Sequence, residues 1–307
     1  MGKQKNYLLL VLKGCAMGAA DVVPGVSGGT IAFITGIYEE LIDSIKSIDL
    51  QALKLLLSLK FADFWKKING SFLLGVAGGI AISIFSLAKL EHHPIYIRSF
   101  FFGLIVASSV LVAKEIKHWH IGTVISLIAG GCIAYVITVM SPAETPNTWW
   151  FIILSGAIAI CAMILPGISG AFILLLMGKY SYILGAVSSL NIGVMLLFIV
   201  GAVAGIISFS HLLSWLLKKH HTATVATLTG FMVGSLNKVW PWKETLETYT
   251  DSHGVVRPLV EANVSPHYFQ ELTQSDPLLV EAIVMCIVGF VLIYGIEFIG
   301  KKMQKQQ

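Results

Sequence analysis

The sequence predicts an all-α integral membrane protein built as two inverted-topology repeats, each a re-entrant helical hairpin followed by about three transmembrane helices. Three observations lead to that fold class. The 307 residues are 56% hydrophobic and only 12% charged, with a mean hydropathy of +0.80, whereas soluble domains carry roughly 25% charged residues. Pro24-Gly25-Val26-Ser27-Gly28 returns as Pro166-Gly167-Ile168-Ser169-Gly170, each time inside a long apolar stretch. The basic residues also divide unequally between the two membrane faces that such a fold creates.

The paired breaks come first. Proline lacks a backbone donor and clashes with the preceding turn, so it interrupts a helix. A bilayer tolerates the freed backbone groups only where they are buried in protein or line a wet cavity. Matched breaks in two halves of a chain point to a binding site between repeats. Other pairs extend the duplication: Ala16-Met17-Gly18 with Ala162-Met163, Gly36-Ile37-Tyr38 with Gly178-Lys179-Tyr180, and Gly75-x-x-x-Gly79 with Gly201-x-x-x-Gly205. His92-His93 answers His220-His221, and Phe102-Gly103 answers the region of Thr229-Gly230-Phe231. The expected organisation is one membrane domain, 1–307, with repeat one over about 8–141 and repeat two over about 147–300. The first half carries an amphipathic insertion at 46–67, expected on the cytoplasmic membrane surface. Residues 241–277 form the one sizeable soluble loop, too short for a domain.

Charge sets the orientation. If each Pro-Gly element enters and leaves on one side, the spans fall near 70–88, 95–113, 120–140, 191–217, 222–240 and 278–300. Fifteen of the 21 basic residues then face the cytoplasm, together with both termini. The six on the outside are Lys89, Arg98, Lys179, Lys238, Lys243 and Arg257. A single crossing at each element would instead place the five lysines of 46–67 outside, against the positive-inside rule. Three crossings per half invert the second repeat, so the two hairpin tips approach each other from opposite faces.

The tips suit an anion. Ser27 and Ser169 occupy N-cap positions, and the flanking glycines let a ligand approach the backbone. The N-terminus of a half-helix has unpaired N–H groups and partial positive charge. The candidate phosphate-binding residues are therefore Pro24, Gly25, Ser27, Gly28, Gly29 and Thr30 with Pro166, Gly167, Ser169 and Gly170. The bland alternative is a pair of kinked, capped helices. Asp21 is the only charged residue between Gly14 and Tyr38. A carboxylate at membrane depth is costly, and this one has three readings: proton carrier, orienter of the tip, or structural acceptor for loose N–H groups. Arg98, Glu39, Lys179 and Lys238 are candidates to guide an anionic head group, with snorkelling or interface solvation as the plain alternative. Trp240 and Trp242 read as interfacial anchors.

Several classes are excluded. The basic residues sit in short clusters beside apolar segments, as topology signals do, which argues against nucleic acid as a partner. Cys15, Cys132, Cys161 and Cys286 lack metal-ligand spacing and read as packing residues. Adjacent histidine pairs point to different helix faces, so no metal is expected. No catalytic residue and no cofactor are assigned, since nucleophile-elbow, phosphate-loop and dinucleotide motifs are absent. The N-terminal apolar run is cut short by Lys13, unlike a signal peptide.

The stretch from Lys13 to Thr30, with Gly36-Ile37-Tyr38-Glu39, closely resembles the first signature of the polyprenyl-phosphate transporter family. Ala162 to Phe172 resembles the second, and Gly234-Ser235-Leu236 leading to Trp240-Pro241-Trp242 is similar to a third patch. Ala171 departs from the pattern, in which a small polar residue is common. The resemblance implies recycling of undecaprenyl phosphate across the bacterial cytoplasmic membrane by alternating access around the two tips, with membrane lipids as surroundings. Undecaprenyl-pyrophosphate phosphatases also carry Pro-Gly-x-Ser on re-entrant hairpins, followed by a phosphate-holding Arg. Here Gly28 and Gly170 stand at that position, so hydrolysis lacks its electrostatic stabiliser. An ion or small-solute channel is the third reading, against which stands the absence of charged rings in the spans.

Overall fold

A computed structural model describes residues 7–22, 27–87, 94–116, 118–250 and 256–305. The first half contains α1 (Tyr7–Val22), α2 (Gly28–Ile34), α3 (Tyr38–Lys46), α4 (Leu50–Leu57), α5 (Phe61–Lys67), α6 (Gly70–Leu87), α7 (Pro94–Glu115) and α8 (Ile121–Val139). The second contains α9 (Trp149–Ile164), α10 (Gly170–Leu176), α11 (Tyr180–Ser188), α12 (Ile192–Lys219), α13 (His221–Val239), β1 (Lys243–Thr250), β2 (Val256–Asn263), α14 (Pro266–Thr273) and α15 (Leu279–Lys305).

The same local rules shape both halves. Each begins with a 16-residue helix, a Pro-Gly break and a seven-residue helix. Gly36 and Gly178 then adopt left-handed backbone, φ +69° and +61°, which ends α2 and α10 and starts the next helix at Tyr38 and Tyr180. The axes of α10 and α11 differ by 109°. Side-chain caps start other helices: Asp49 accepts from the Ala52 N–H, Asn191 from Val194 and Ser265 from Tyr268, filling orphan donors of the first turn.

Helix pairing also repeats. α1 packs on α6 and α9 on α12. In both pairs small residues let the backbones touch, because a Cβ at Gly14 or Gly79 would collide with Val76 or Val11, and one at Gly156 or Gly201 with Phe198 or Ile153. Such close approach drives helix association where lipid removes the hydrophobic incentive. The remaining long helices exchange between halves: α8 packs on α13 and α7 on α15, while α7 and α13 cross each other. Ile105, Leu228, Met232 and Val239 are fully buried around that crossing.

Among the described residues, three helices are long and apolar enough to cross a membrane: α7, α8 and α12. Shorter apolar runs occupy Gly70–Ser83, Trp149–Ile164 and Leu279–Gly295. The segment expected as a span at 222–240 is helical but different in character. α13 buries Thr224, Thr229, Ser235 and Lys238, so it is a polar-bearing central helix surrounded by protein.

The all-α expectation needs one correction. The 241–277 loop holds an antiparallel hairpin, β1 with β2, pairing Lys243 with Asn263 and Thr250 with Val256, and a bulge near Glu247. Thr245, Thr248, Tyr249 and Thr250 supply β-branched and aromatic residues, which favour strands. The insertion at 46–67 forms α4 and α5, which leave Leu50, Leu57, Leu59 and Phe61 exposed.

Candidate functional site

The two Pro-Gly elements meet. Ser27 Oγ accepts from the Gly29 N–H at 3.1 Å and donates to the Met163 carbonyl at 3.0 Å. Thr30 Oγ1 accepts from the Gly167 N–H at 2.8 Å, and the Tyr38 hydroxyl donates to the Ile164 carbonyl at 3.2 Å. Apart from the local Ser27–Gly29 cap, each contact joins residues far apart in the chain and satisfies a backbone group released where α9 ends. Gly29 has the Ile164 carbonyl where a Cβ would stand, so only glycine admits this approach. Gly167, at φ +86°, lies against Phe231 and Ser235 of α13. Pro24 and Gly25 lie outside the described residues. Pro166 stands within the second break, next to Gly167.

The two serines differ, although their sequence positions predict equal caps. Ser27 caps α2 and is fully buried. Ser169 has extended backbone at the start of α10 but makes no side-chain cap, and its hydroxyl has no hydrogen-bond partner among the described residues. The α9 end offers Ser27 a carbonyl, while no described residue offers Ser169 a comparable partner. That hydroxyl keeps its capacity to donate to a ligand.

Asp21 Oδ1 accepts from the Gly28 N–H at 2.7 Å, and its Oδ2 is buried without a partner. The carboxylate thus holds the first amide of α2. Gly28 sits so close that a Cβ would lie 2.6 Å from Asp21 Oδ2, and a Cβ at Gly170 would lie 2.6 Å from the Ala159 carbonyl. At Gly170 the obstacle is backbone, whereas at Gly28 it is the end of the Asp21 side chain, which a larger residue would have to displace.

The four head-group candidates separate into three places. Glu39 is exposed and pairs with His221 at 3.2 Å, beside an Asp43–Ser214–Lys218 cluster. Lys179 is buried and donates to the Thr145 carbonyl at 2.7 Å and Asn147 Oδ1 at 2.8 Å. It ties the α10–α11 turn to the 140–148 segment and lies over the Phe151 ring, a structural engagement. Arg98 and Lys238 converge on Glu261 of β2, at 2.8 Å and 3.4 Å. Lys238 also sits 4.5 Å from the Phe172 ring centroid of α10, which brings this cluster against the second Pro-Gly element.

Two further members were not among the sequence candidates. Lys243 donates to Asn263 Oδ1 at 2.5 Å and to the Asn237 carbonyl at 3.5 Å. Burial, reinforced by Lys238 and Arg98 and opposed by Glu261, pushes its pKa down to about 7. Burial alone would raise the pKa of Glu261, but Arg98, Lys238 and Lys243 outweigh it and hold it below the usual carboxylate value. Trp240 and Trp242, expected as interfacial anchors, donate their indole N–H groups to the Val264 and Pro277 carbonyls, both at 2.8 Å. They fasten the β-hairpin segment over α13.

Beside this cluster lies an open cavity of about 570 Å³ lined by Phe102, Cys132, Tyr135, Val233 and Trp240, with Asn237 and Asn263 at its polar end.

Comparison with known proteins bears on this arrangement. A family model described as VCA0040-like, undecaprenyl phosphate translocase-like, matches residues 17–257, including both Pro-Gly elements. The chain belongs to that family. It is 48% identical over 306 residues to a polyprenyl-phosphate transporter of Vibrio cholerae serotype O1, covering 98% of this chain and 99% of the relative. It is 34% identical over 259 residues to a polyprenyl-phosphate transporter of Staphylococcus aureus, covering 75% and 85%. No solved structure matches. This family member, with its long apolar helices, is a multi-pass membrane protein.

Proposed function

We propose that the protein translocates undecaprenyl phosphate, a polyprenyl-phosphate lipid carrier, across the bacterial cytoplasmic membrane for reuse in envelope synthesis. The observation that carries the substrate class is the near full-length similarity to a polyprenyl-phosphate transporter. The mechanism is alternating access around two re-entrant hairpin tips in inverted repeats, with both termini cytoplasmic. The exchange of α8 and α15 between halves and the mutual contacts of the two breaks support that reading.

The phosphate is held between the tips by Ser27, Thr30, Ser169 and the backbone of Gly28, Gly29, Gly167 and Gly170, with Pro24, Gly25 and Pro166 making the breaks. Asp21 orients the first tip. Arg98 and Lys238 guide the head group on the outer side, where Lys179 and Glu261 also fall in the inverted topology. Glu39, Asp43 and Lys218 fall on the cytoplasmic side. The prenyl chain stays in lipid. The protein is no phosphatase in this reading: Gly28 and Gly170 stand where an arginine would hold phosphate, and hydrolysis needs such a stabiliser.

Purified protein in liposomes with labelled undecaprenyl phosphate tests the proposal. Protein-dependent movement between leaflets without phosphate release is the expected result. Phosphate release would establish an enzyme, and absence of movement under every imposed gradient would remove the transport reading.

A further inference from the structure

We propose that the junction of α7, α13 and the β-hairpin is a loading site for the polyprenyl phosphate, separate from the tips, in which the Glu261 carboxylate holds the place of the phosphate until the lipid displaces it. The inference rests on the transport reading above and adds a second binding site to it.

Two cations close on one carboxylate. Arg98 and Lys238 bind opposite oxygens of Glu261, and all three side chains are largely withdrawn from solvent, with 17%, 10% and 8% exposure. Lys243 stands nearby as a further basic group, held by Asn237 and Asn263. One carboxylate against Arg98 and Lys238 leaves the cluster with positive charge to spare. A phosphate monoester carries about −1.5 to −2 at neutral pH, which suits this Arg–Lys pair better than one carboxylate does. Bidentate geometry makes Arg a strong phosphate partner.

The neighbouring cavity supplies the rest of the ligand. Its polar end, Asn237 and Asn263, is held by Lys243, so the cationic cluster and the cavity share a wall. Phe102, Cys132, Val233 and Trp240 line an apolar body. Its volume of about 570 Å³ lies within the range of small-molecule sites, roughly 300–1,000 Å³. Tyr135 and Val136 of the lipid-exposed helix α8 form its rim, 51% and 53% exposed, so a chain can leave sideways into the bilayer. An apolar groove with a cationic end fits the first isoprene units of an anionic lipid. Lys238 is one helical turn from Ser235, which touches Gly167 of the second tip, and this gives the phosphate a short onward path.

Binding of farnesyl phosphate to the full-length protein in nanodiscs tests the site, with farnesol and inorganic phosphate as controls. Removing the competing carboxylate in Glu261→Gln should tighten farnesyl phosphate binding about tenfold, the scale of one charge-assisted contact. Arg98→Gln and Lys243→Gln should each weaken it by a similar factor and leave farnesol unchanged. Thermal melts identify variants that fail to fold, and for those a photoreactive farnesyl phosphate read on the wild type decides: crosslinks at Tyr135 or Val233 support the site, and crosslinks confined to the tips overturn it. Unchanged or weaker binding in a folded Glu261→Gln protein would make the cluster a mere clamp for the β-hairpin. Failure of lipid translocation by a wild type that still binds here would count against the transport reading alone.

Discussion

Thr30 Oγ1 accepts the Gly167 N–H across 137 residues of sequence at 2.8 Å, so the first turn of α2 and the second Pro-Gly break are joined by a direct hydrogen bond. Gly167 is at positive φ in a helix break, and its amide has no helical partner. Thr30 is fully buried, which leaves no water to replace it.

Thr30→Val keeps the shape and removes the acceptor. An unsatisfied buried donor costs about 1–3 kcal/mol. The thermal midpoint in detergent should fall accordingly, while Thr30→Ser keeps most of the stability. Equal melting of the Val and wild-type proteins would show that the contact is not made.

The serines should separate stability from transport. Ser27→Ala loses a cap and a contact to Met163, and N-cap losses cost about 0.5–2 kcal/mol. Ser169→Ala removes a hydroxyl without a described partner, so its melt should match the wild type while translocation of undecaprenyl phosphate falls. Normal translocation in the Ser169→Ala protein would take that hydroxyl out of the phosphate site.

Asp21 can be divided into charge and shape. Asp21→Asn retains an oxygen for the Gly28 N–H and should keep the fold, whereas Asp21→Ala leaves that amide unpaired and should melt lower. If the carboxylate carries protons, the pH dependence of transport disappears in Asp21→Asn. A preserved dependence with lowered rate assigns Asp21 to holding the tip.

Lys243 makes attachment of the β-hairpin depend on pH. Its folded pKa is lowered from 10.5 to about 7. Between those values the detached hairpin binds the proton and the docked one does not, so docking strengthens as pH rises from about 7 towards 10. Hydrogen exchange over 243–263, corrected for intrinsic rates, should show growing protection in that window. Lys243→Met should flatten the profile, with Arg98, Lys238 and Glu261 still facing the site.

Much of the backbone plan was legible. The apolar runs and punctuating glycines gave helices at 70–87, 94–115, 121–139, 192–219 and 279–305, close to the expected spans, because helix length and hydropathy are local properties. The breaks around Pro24-Gly25 and Pro166-Gly167 announced two elements that approach each other, because backbone freed at membrane depth must find partners. The β-hairpin was missed even though Thr245, Thr248, Tyr249 and Thr250 favour a strand. Charges at Lys243, Glu244 and Glu247 break any period-2 pattern, so alternation gave no signal.

Which polar groups meet was not local. Arg98, Lys238 and Glu261 stand on three separate segments, and nothing in their spacing links them. The same holds for the inequality of Ser27 and Ser169. Identical motifs gave identical expectations, whereas among the described residues Ser27 alone engages the Met163 carbonyl at the end of α9 and caps its own helix. Lys179 looked free at the end of its hairpin until the 140–148 segment folded over it.

By itself the amino-acid sequence determined the membrane class, the helix breaks and the family, since each rests on composition, periodicity or a motif read along the chain. The tertiary structure alone decided the partners: that Thr30 and Ser27 bind the opposite break, that Asp21 holds the Gly28 amide, and that Arg98 and Lys238 meet on Glu261. Hydrogen bonds and charge pairs act over about 3 Å, and only packing brings distant segments within that reach.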